Sequence, residues 1–344
     1  MRIASFPAKE NQLSAAPEIM DWLLEGDPAI RWQVMCDLLA EDEKIIEKER
    51  EKIAENGWGA RFLLYQEQDG LWAGGIYSPK WISTTYTMLT LKRLGLPAAN
   101  PQAQKGCQQL LERGFYLDGG INYSRSHKQS EVCITGMVLS VLAFFRYPDP
   151  RVNDLADHLL ERQMTDWGWN CQDYRGHRHS SFHTTISTLE GLLEYQKSRA
   201  QVRLDIEAAR LKGHEFLLQH RLFRSDRTGD IVNERMLCMP FPPRWFYDFL
   251  RALDYFQDYY VWRSKQAIGY ADEESEMLET KHHKDERFSD AIELLKNKRK
   301  SVGRWNMMRG PSGRVYFEME QAGKPSRWNT LRALRVLKWW KGVQ

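Results

Sequence analysis

Apolar positions along the chain recur at helical spacing, in segments of two alternating kinds. The first kind is amphipathic, with one apolar stripe: FLLYQ (62–66), CQQLLERG (107–114), LADHLLERQ (155–163) and HEFLLQHRL (214–222). The second is apolar around most of its circumference: PKWISTTYTMLTLKRLG (79–95), SEVCITGMVLSVLAFF (130–145), SSFHTTISTLEGLLEY (180–195), PPRWFYDFLRALDYF (242–256) and PSRWNTLRALRVLKWW (325–340). A single stripe predicts a helix with one face in solvent, and an all-round apolar pattern predicts a helix enclosed by others. Pro, Ser or Thr near the start of the second kind suits a helix N-terminus. An earlier pair, PEIMDWLLEG then DPAIRWQVMCDLL, brings the total to six outer–inner hairpins.

The two kinds are joined by glycine-aromatic loops: DGLW (69–72), DGGIN (118–122), DWGWN (166–170), RTGDIV (227–232) and GRW (303–305). Gly70 to Gly119 is 49 residues, and Gly119 to Gly168 is 49 again. Such a period marks stacked structural repeats. Six hairpins with enclosed inner helices predict an all-α fold, an (α/α)6 toroid spanning residues 1–344 as one domain. No strand pattern competes. A charged stretch at about 258–287 interrupts the later spacing and reads as a solvated insertion. In a closed toroid the inner helices start at one rim, and their first turns face a common cavity.

Composition adds one thing to this picture. The chain carries 13 Trp, 14 Tyr and 14 Phe, enough to line a wide aromatic cavity. A formal net charge of +3, spread without a basic stripe, argues against nucleic acid as a partner. No apolar run reaches the roughly 18–20 residues that span a bilayer. Five scattered cysteines do not form a disulfide framework. They point to a reducing cytoplasm and to thiols available for chemistry.

Aligning the inner helices by apolar periodicity places Ser83, Cys133, His183 and Arg244 at equivalent first-turn positions. Glu131 precedes Cys133 by two residues. Carboxylate, thiolate and imidazole make a sound Zn2+ set with an open fourth position, so Glu131, Cys133 and His183 are candidate ligands, with Cys171 a possible fourth. Arg125 and Lys128 lie just upstream and are candidates for an anion pocket, which Arg244 would extend. Trp81, Trp169, Trp245 and Trp328 are candidate cavity walls. Each has an ordinary alternative: a small buried thiol, a hydrogen-bonded core histidine, solvated loop charges, packing indoles. His177 and His179 read as solvated.

The run R125-SH-K128-QS-E131-V-C133, followed one repeat later by H183-TTISTLEGL, resembles the Arg-x-x-Lys-x-x-Asp-x-Cys and His-Thr pattern of the β subunits of protein prenyltransferases. FLLYQEQDGLW and LLERQMTDWGW are similar to the repeats of squalene-hopene cyclases, which share the toroid. The resemblance implies Zn2+ on Glu131, Cys133 and His183, activating a thiol acceptor. It also implies an isoprenoid diphosphate held by Arg125 and Lys128, with a partner subunit left open. Departures are Ile134 where that family has Tyr, and Ser83 where farnesyltransferases have His.

Three other functions compete. A terpene cyclase would use the same aromatic cavity with an acid to start the cation, yet no Asp-Asp pair occurs in the chain. A glycoside-processing enzyme needs two carboxylates across a cleft, with Glu131, Glu190 and Asp248 available on inner helices. A non-catalytic binding toroid needs neither metal nor acid.

Overall fold

The computed structural model describes residues 17–124, 126–267 and 285–342. Six hairpins are present. An outer α1 (Pro17–Leu24) precedes an inner α2 (Pro28–Val34), which runs on as a π-helical turn, Met35–Leu39. Outer α3 (Glu43–Glu51) and α4 (Gly57–Leu64) precede inner α5 (Thr84–Leu94). Then follow the outer–inner pairs α6 (Pro101–Glu112) and α7 (Val132–Phe144), α8 (Arg151–Glu161) and α9 (Phe182–Lys197), α10 (Leu204–Gln219) and α11 (Phe249–Ala267), and α12 (Ser289–Asn297) and α13 (Arg327–Lys341). Among the described residues, β structure is limited to isolated bridges. The fold is the all-α (α/α)6 toroid.

Side-chain bonds between successive inner helices close the ring. Trp32 Nε1 donates to Leu94 O (2.8 Å) and Gln33 Nε2 to Arg93 O (3.1 Å), joining α2 to α5. Lys92 Nζ reaches Ser140 Oγ, joining α5 to α7. Between α7 and α9 the backbones nearly touch: a Cβ on Gly191 would sit 2.5 Å from Gly136 O, and one on Gly136 2.8 Å from Ser187 O. Arg251–Glu190 ties α11 to α9, Arg335–Asp254 ties α13 to α11, and Arg335–Asp37 returns to the turn after α2.

One device starts most inner helices. The hydroxyls of Thr84, Thr135, Thr185 and Thr330 accept from the backbone N–H of Trp72, Ile121, Trp169 and Trp305 at 2.9–3.1 Å. Three of these residues are tryptophans, and each indole N–H donates to the carbonyl ten residues upstream: Phe62, Leu159 and Leu295. A buried indole finds both an apolar bed and a partner for its N–H in this way. Loop carboxylates brace the same junctions, with Asp118 holding Ser130 and Asp166 holding Ser180.

These bonds set the true register of the repeat. Glu67, Tyr116 and Met164 donate their N–H to Leu71, Gly120 and Gly168. Gly70 (φ 91°), Gly119 (φ 80°) and Trp167 (φ 75°) therefore share the left-handed position. Gly168 matches Gly120, not Gly119, so the second interval is one residue shorter than the glycine spacing implied. The charged stretch also needs revision at its start. Helix α11 runs through Ala267, with Asp258 paired to Lys197 and Tyr259 buried. Residues 268–284 lie outside the described residues. Among the described residues, no helix is long and apolar enough to cross a membrane.

Candidate functional site

The rim formed by the inner-helix N-termini carries the residues singled out from the sequence, in a different grouping. The shared threonines define equivalence. Two residues before them stand Ile82, Cys133, His183 and Trp328, so Cys133 and His183 are equivalent, as read from the sequence, but Ser83 is displaced by one. Ser83 is fully buried at the start of α5, and its Oγ has no partner among the described residues.

His183, the second residue of α9, faces the segment that leads into α11. Its Nδ1 accepts from Tyr247 N–H at 2.8 Å. Its ring meets Trp245 and Phe246 edge-on, with centroids 5.1 and 5.8 Å apart. Burial, helped by the Arg251 charge, pushes the imidazole down to about 4. The ring is thus neutral at pH 7, and with Nδ1 accepting, the proton sits on Nε2.

Cys133 does not join it. Its partner is Cys171, from the loop before α9. A sulfur–sulfur hydrogen bond and burial push the Cys133 thiol up, while the same bond pulls Cys171 down. Cys133 is therefore the donor and Cys171 the thiolate-prone member. Glu131 is the residue before α7, half-buried, and its charge is felt by both thiols. Lys128 is exposed, and Arg125 lies outside the described residues.

The expected zinc ligands do not fit this arrangement. Zinc on His183 Nε2 would require the proton on Nδ1, where Tyr247 N–H already points. Among the described residues, no three His, Cys, Asp or Glu side chains are placed to hold a metal ion.

What the rim does assemble is an aromatic cavity of about 580 Å³. Its walls include Trp81, Trp245 and Phe246, and His183 opens onto it. Trp245 and Phe246 stack with centroids 3.9 Å apart, and Trp81 meets Phe246 edge-on at 6.0 Å. Trp81 is fixed by its indole N–H donating to Ser312 O (2.9 Å) and its backbone N–H to Arg314 O (3.0 Å). The segment carrying Ser312 thus arches over the rim from the last hairpin and supplies Arg309 to the cavity.

Three cations line this cavity: Lys80, Arg235 and Arg309, all exposed. Lys80 Nζ lies 5.1–5.7 Å from the rings of Tyr77, Trp81 and Trp245. Among the described residues the lining holds one carboxyl, Asp248. Its Oδ1 accepts from Arg251 N–H at 2.8 Å, and its Oδ2 is buried with no partner among the described residues. Burial pushes this acid up to about 6, against the pull of Arg332, Arg251 and Arg93.

Below Asp248 the axis of the toroid is ionic, not aromatic. Glu190 is gripped by Arg251 (2.8 Å) and Arg93 (3.1 Å), and Asp254 by Arg335 (2.6 Å) and Arg332 (3.2 Å). Trp328, read as a wall of the aromatic cavity, does not line it. It stacks on Phe241 at 4.2 Å and lines a separate cavity with Arg332 and Arg335. Trp169 is a fully buried packing residue. Arg244 lies beside a neighbouring cavity with Trp81 between the two.

Sequence reasoning missed Lys80, Arg235 and Arg309, and weighed Asp248 as one of a glycosidase pair or as an ion-pair partner for an arginine, not as a lone acid. The ionic axis did leave a signal: charges at 190, 251, 254, 332 and 335 fall inside otherwise apolar inner helices.

No protein-family model matches the chain, and a search of curated proteins found no match. Among solved structures, the chain is similar to a type II terpene cyclase from Scytonema in complex with its product merosterolic acid A. The identity is 12%, the match covers 86% of this chain and 96% of that one, and the TM-score is 0.32. A likeness that distant carries nothing about chemistry.

Proposed function

We propose that the chain is an isoprenoid-processing enzyme that starts its reaction by protonation, in the manner of a terpene cyclase, with Asp248 as the acid. The observation that carries this reading is the placement of Asp248: one buried carboxyl, pushed up to about 6, on the border of an aromatic cavity. A carboxyl with that pKa is a competent general acid near neutral pH. Transfer of its proton to an alkene carbon uses the π electrons to form the new C–H bond. It leaves a carbocation on the neighbouring carbon and a carboxylate on Asp248.

The faces of Trp81, Trp245 and Phe246 suit that cation, at about 0.5–2 kcal/mol per well-placed ring. Lys80, Arg235 and Arg309 suit an anionic head group on the same molecule, such as a diphosphate. Arg251 and Arg332 stabilise the Asp248 carboxylate once the proton has left. His183, neutral with its proton on Nε2, offers a hydrogen-bond donor to the cavity.

Zinc-assisted transfer to a thiol is less well supported, because His183 Nδ1 accepts from Tyr247 N–H and Cys133 pairs with Cys171. Glycoside hydrolysis would need a second carboxylate, and among the described residues Asp248 is the one that lines the cavity.

The test is product analysis by mass spectrometry after incubation with farnesyl and geranylgeranyl diphosphate in the presence of EDTA. A product isomeric with its substrate, absent for Asp248→Asn although that variant still binds substrate, is the expected result. The rate should fall as pH rises through about 6, where the acid loses its proton. Full turnover by Asp248→Asn would overturn the assignment.

A further inference from the structure

Arg244 sits in surroundings that a structural arginine does not choose. Its φ is +60°, in the left-handed region that side chains other than glycine disfavour. It is half-buried, and desolvation lowers it to about 10, with the Tyr86 hydroxyl as the one opposing influence. Among the described residues it has no ion pair and no hydrogen bond. Its one close contact of note is the face of Trp81, 5.8 Å away. Withdrawing an unpaired guanidinium even partly from water opposes folding, since full transfer costs several kcal/mol per ion. Nothing inside the fold offsets that cost.

The guanidinium borders a cavity of about 420 Å³, separate from the one that holds Asp248. Its walls mix polar and apolar surface, the aromatic part coming from Phe62, Trp81, Phe241, Tyr316 and Phe317. Trp81 and the Arg309–Ser312 segment are common to the two cavities and form the partition. Two carboxylates line this second cavity. Glu320 is committed elsewhere, accepting from Ser326 Oγ (2.5 Å) and Arg327 N–H (2.6 Å). Glu318 is exposed and forms no ion pair with Arg244.

We propose that this second cavity is a binding subsite for an oxyanion on an apolar body, of the carboxylate class, with Arg244 as its anchor. A planar guanidinium lying against an indole presents its N–H groups edgewise, which suits two-point binding of a carboxylate. The aromatic walls suit the apolar body. The proposal stands apart from the isoprenoid reading because its anchor, Arg244, does not line the cavity that holds Asp248, although Arg309 borders both.

The test is calorimetry on the full chain at pH 7.5 with two probes of nearly equal shape, phenylacetate and its neutral amide phenylacetamide. The wild type should bind the acid at least roughly tenfold more tightly than the amide, as a charge-assisted hydrogen-bonded pair would give. Arg244→Met should lose that preference. Methionine at φ +60° is as strained as arginine, so the backbone burden is unchanged. Arg244→Met should therefore melt at the wild-type temperature or above, because it removes a half-buried charge that has no partner among the described residues. Equal affinity for acid and amide, no affinity for either, or retained preference in Arg244→Met would overturn the proposal. A clear drop in melting temperature for Arg244→Met would also overturn it, by making the arginine structural.

Discussion

Glu190 is the place to break the toroid's axis. Its carboxylate accepts from Arg251 Nε and Nη2 at 2.8 Å each and from Arg93 Nη2 at 3.1 Å to both oxygens. The side chains are 12% exposed for Glu190, 1% for Arg251 and 18% for Arg93. Burial alone would raise the Glu190 carboxyl, but Arg251 and Arg93 outweigh it and hold the group well below its usual range. Glu190→Gln removes the one charge shared by two buried guanidiniums. Stranding a buried partner costs about 3–5 kcal/mol. With an unfolding entropy of about 2.1 cal/mol/K per residue, 344 residues give about 0.7 kcal/mol/K, so the melting temperature should fall by about 4–7 °C. Scanning calorimetry at pH 7 reads this directly. Asp205→Asn is the control, because its pair with Arg203 is exposed, at 57% and 33%. Exposed pairs contribute about 0–1 kcal/mol. The pH dependence has a fixed sign. A depressed acid stabilises above its unfolded pKa near 4.5 and loses that contribution as pH falls toward its folded pKa. Wild type should therefore lose stability below about pH 4.5 faster than Glu190→Gln. Equal melting shifts for Glu190→Gln and Asp205→Asn would refute the view that the axis is a buried, mutually dependent ion network.

Other outcomes follow from the same geometry. His183 should show no imidazole protonation by NMR above about pH 5, and the fold should weaken as pH drops from 6.5 to 4, because the unfolded chain takes up the proton first; titration near 6.5 would remove the Tyr247 bond from the account. Cys171 should react with a disulfide reagent at pH 7 well before the fully buried Cys107, and comparable rates would contradict the Cys133–Cys171 pairing. Thr185→Val leaves the buried Trp169 N–H without its acceptor and should cost about 1–3 kcal/mol in denaturant unfolding; a loss under about 0.5 kcal/mol would mean that the repeated threonine is not what holds the inner-helix starts.

The fold was legible because its cause is written locally. Stripe-and-enclosed helices, glycine-aromatic loops and a near-50-residue period are each visible without long-range information, and the ring follows from stacking six of them. The site was less legible for three physical reasons. The equivalent threonines Thr84 and Thr135 are 51 residues apart but Thr135 and Thr185 are 50 apart, and a helix turns about 100° per residue, so Ser83 slipped out of the Cys133–His183 row. The imidazole and the thiol each found a partner that periodicity does not reveal: Tyr247 N–H on one side and Cys171 on the other. The cations at the mouth, Lys80 and Arg309, come from irregular segments 229 positions apart that meet through the bonds of Trp81 to Ser312 and Arg314. Asp248 was visible as an inner-helix carboxylate, but its raised pKa depends on burial and on an unpartnered oxygen, which only the assembled ring supplies.

The central claim is that an isoprenoid occupies the cavity beside Asp248. The most direct measurement is a crystal structure with a non-hydrolysable farnesyl diphosphate analogue. The hydrocarbon should lie against Trp81, Trp245 and Phe246, within reach of the Asp248 carboxyl, and the diphosphate beside Lys80, Arg235 and Arg309. An empty aromatic cavity at saturating analogue, or a diphosphate seated near Lys128 and Glu131, would contradict it.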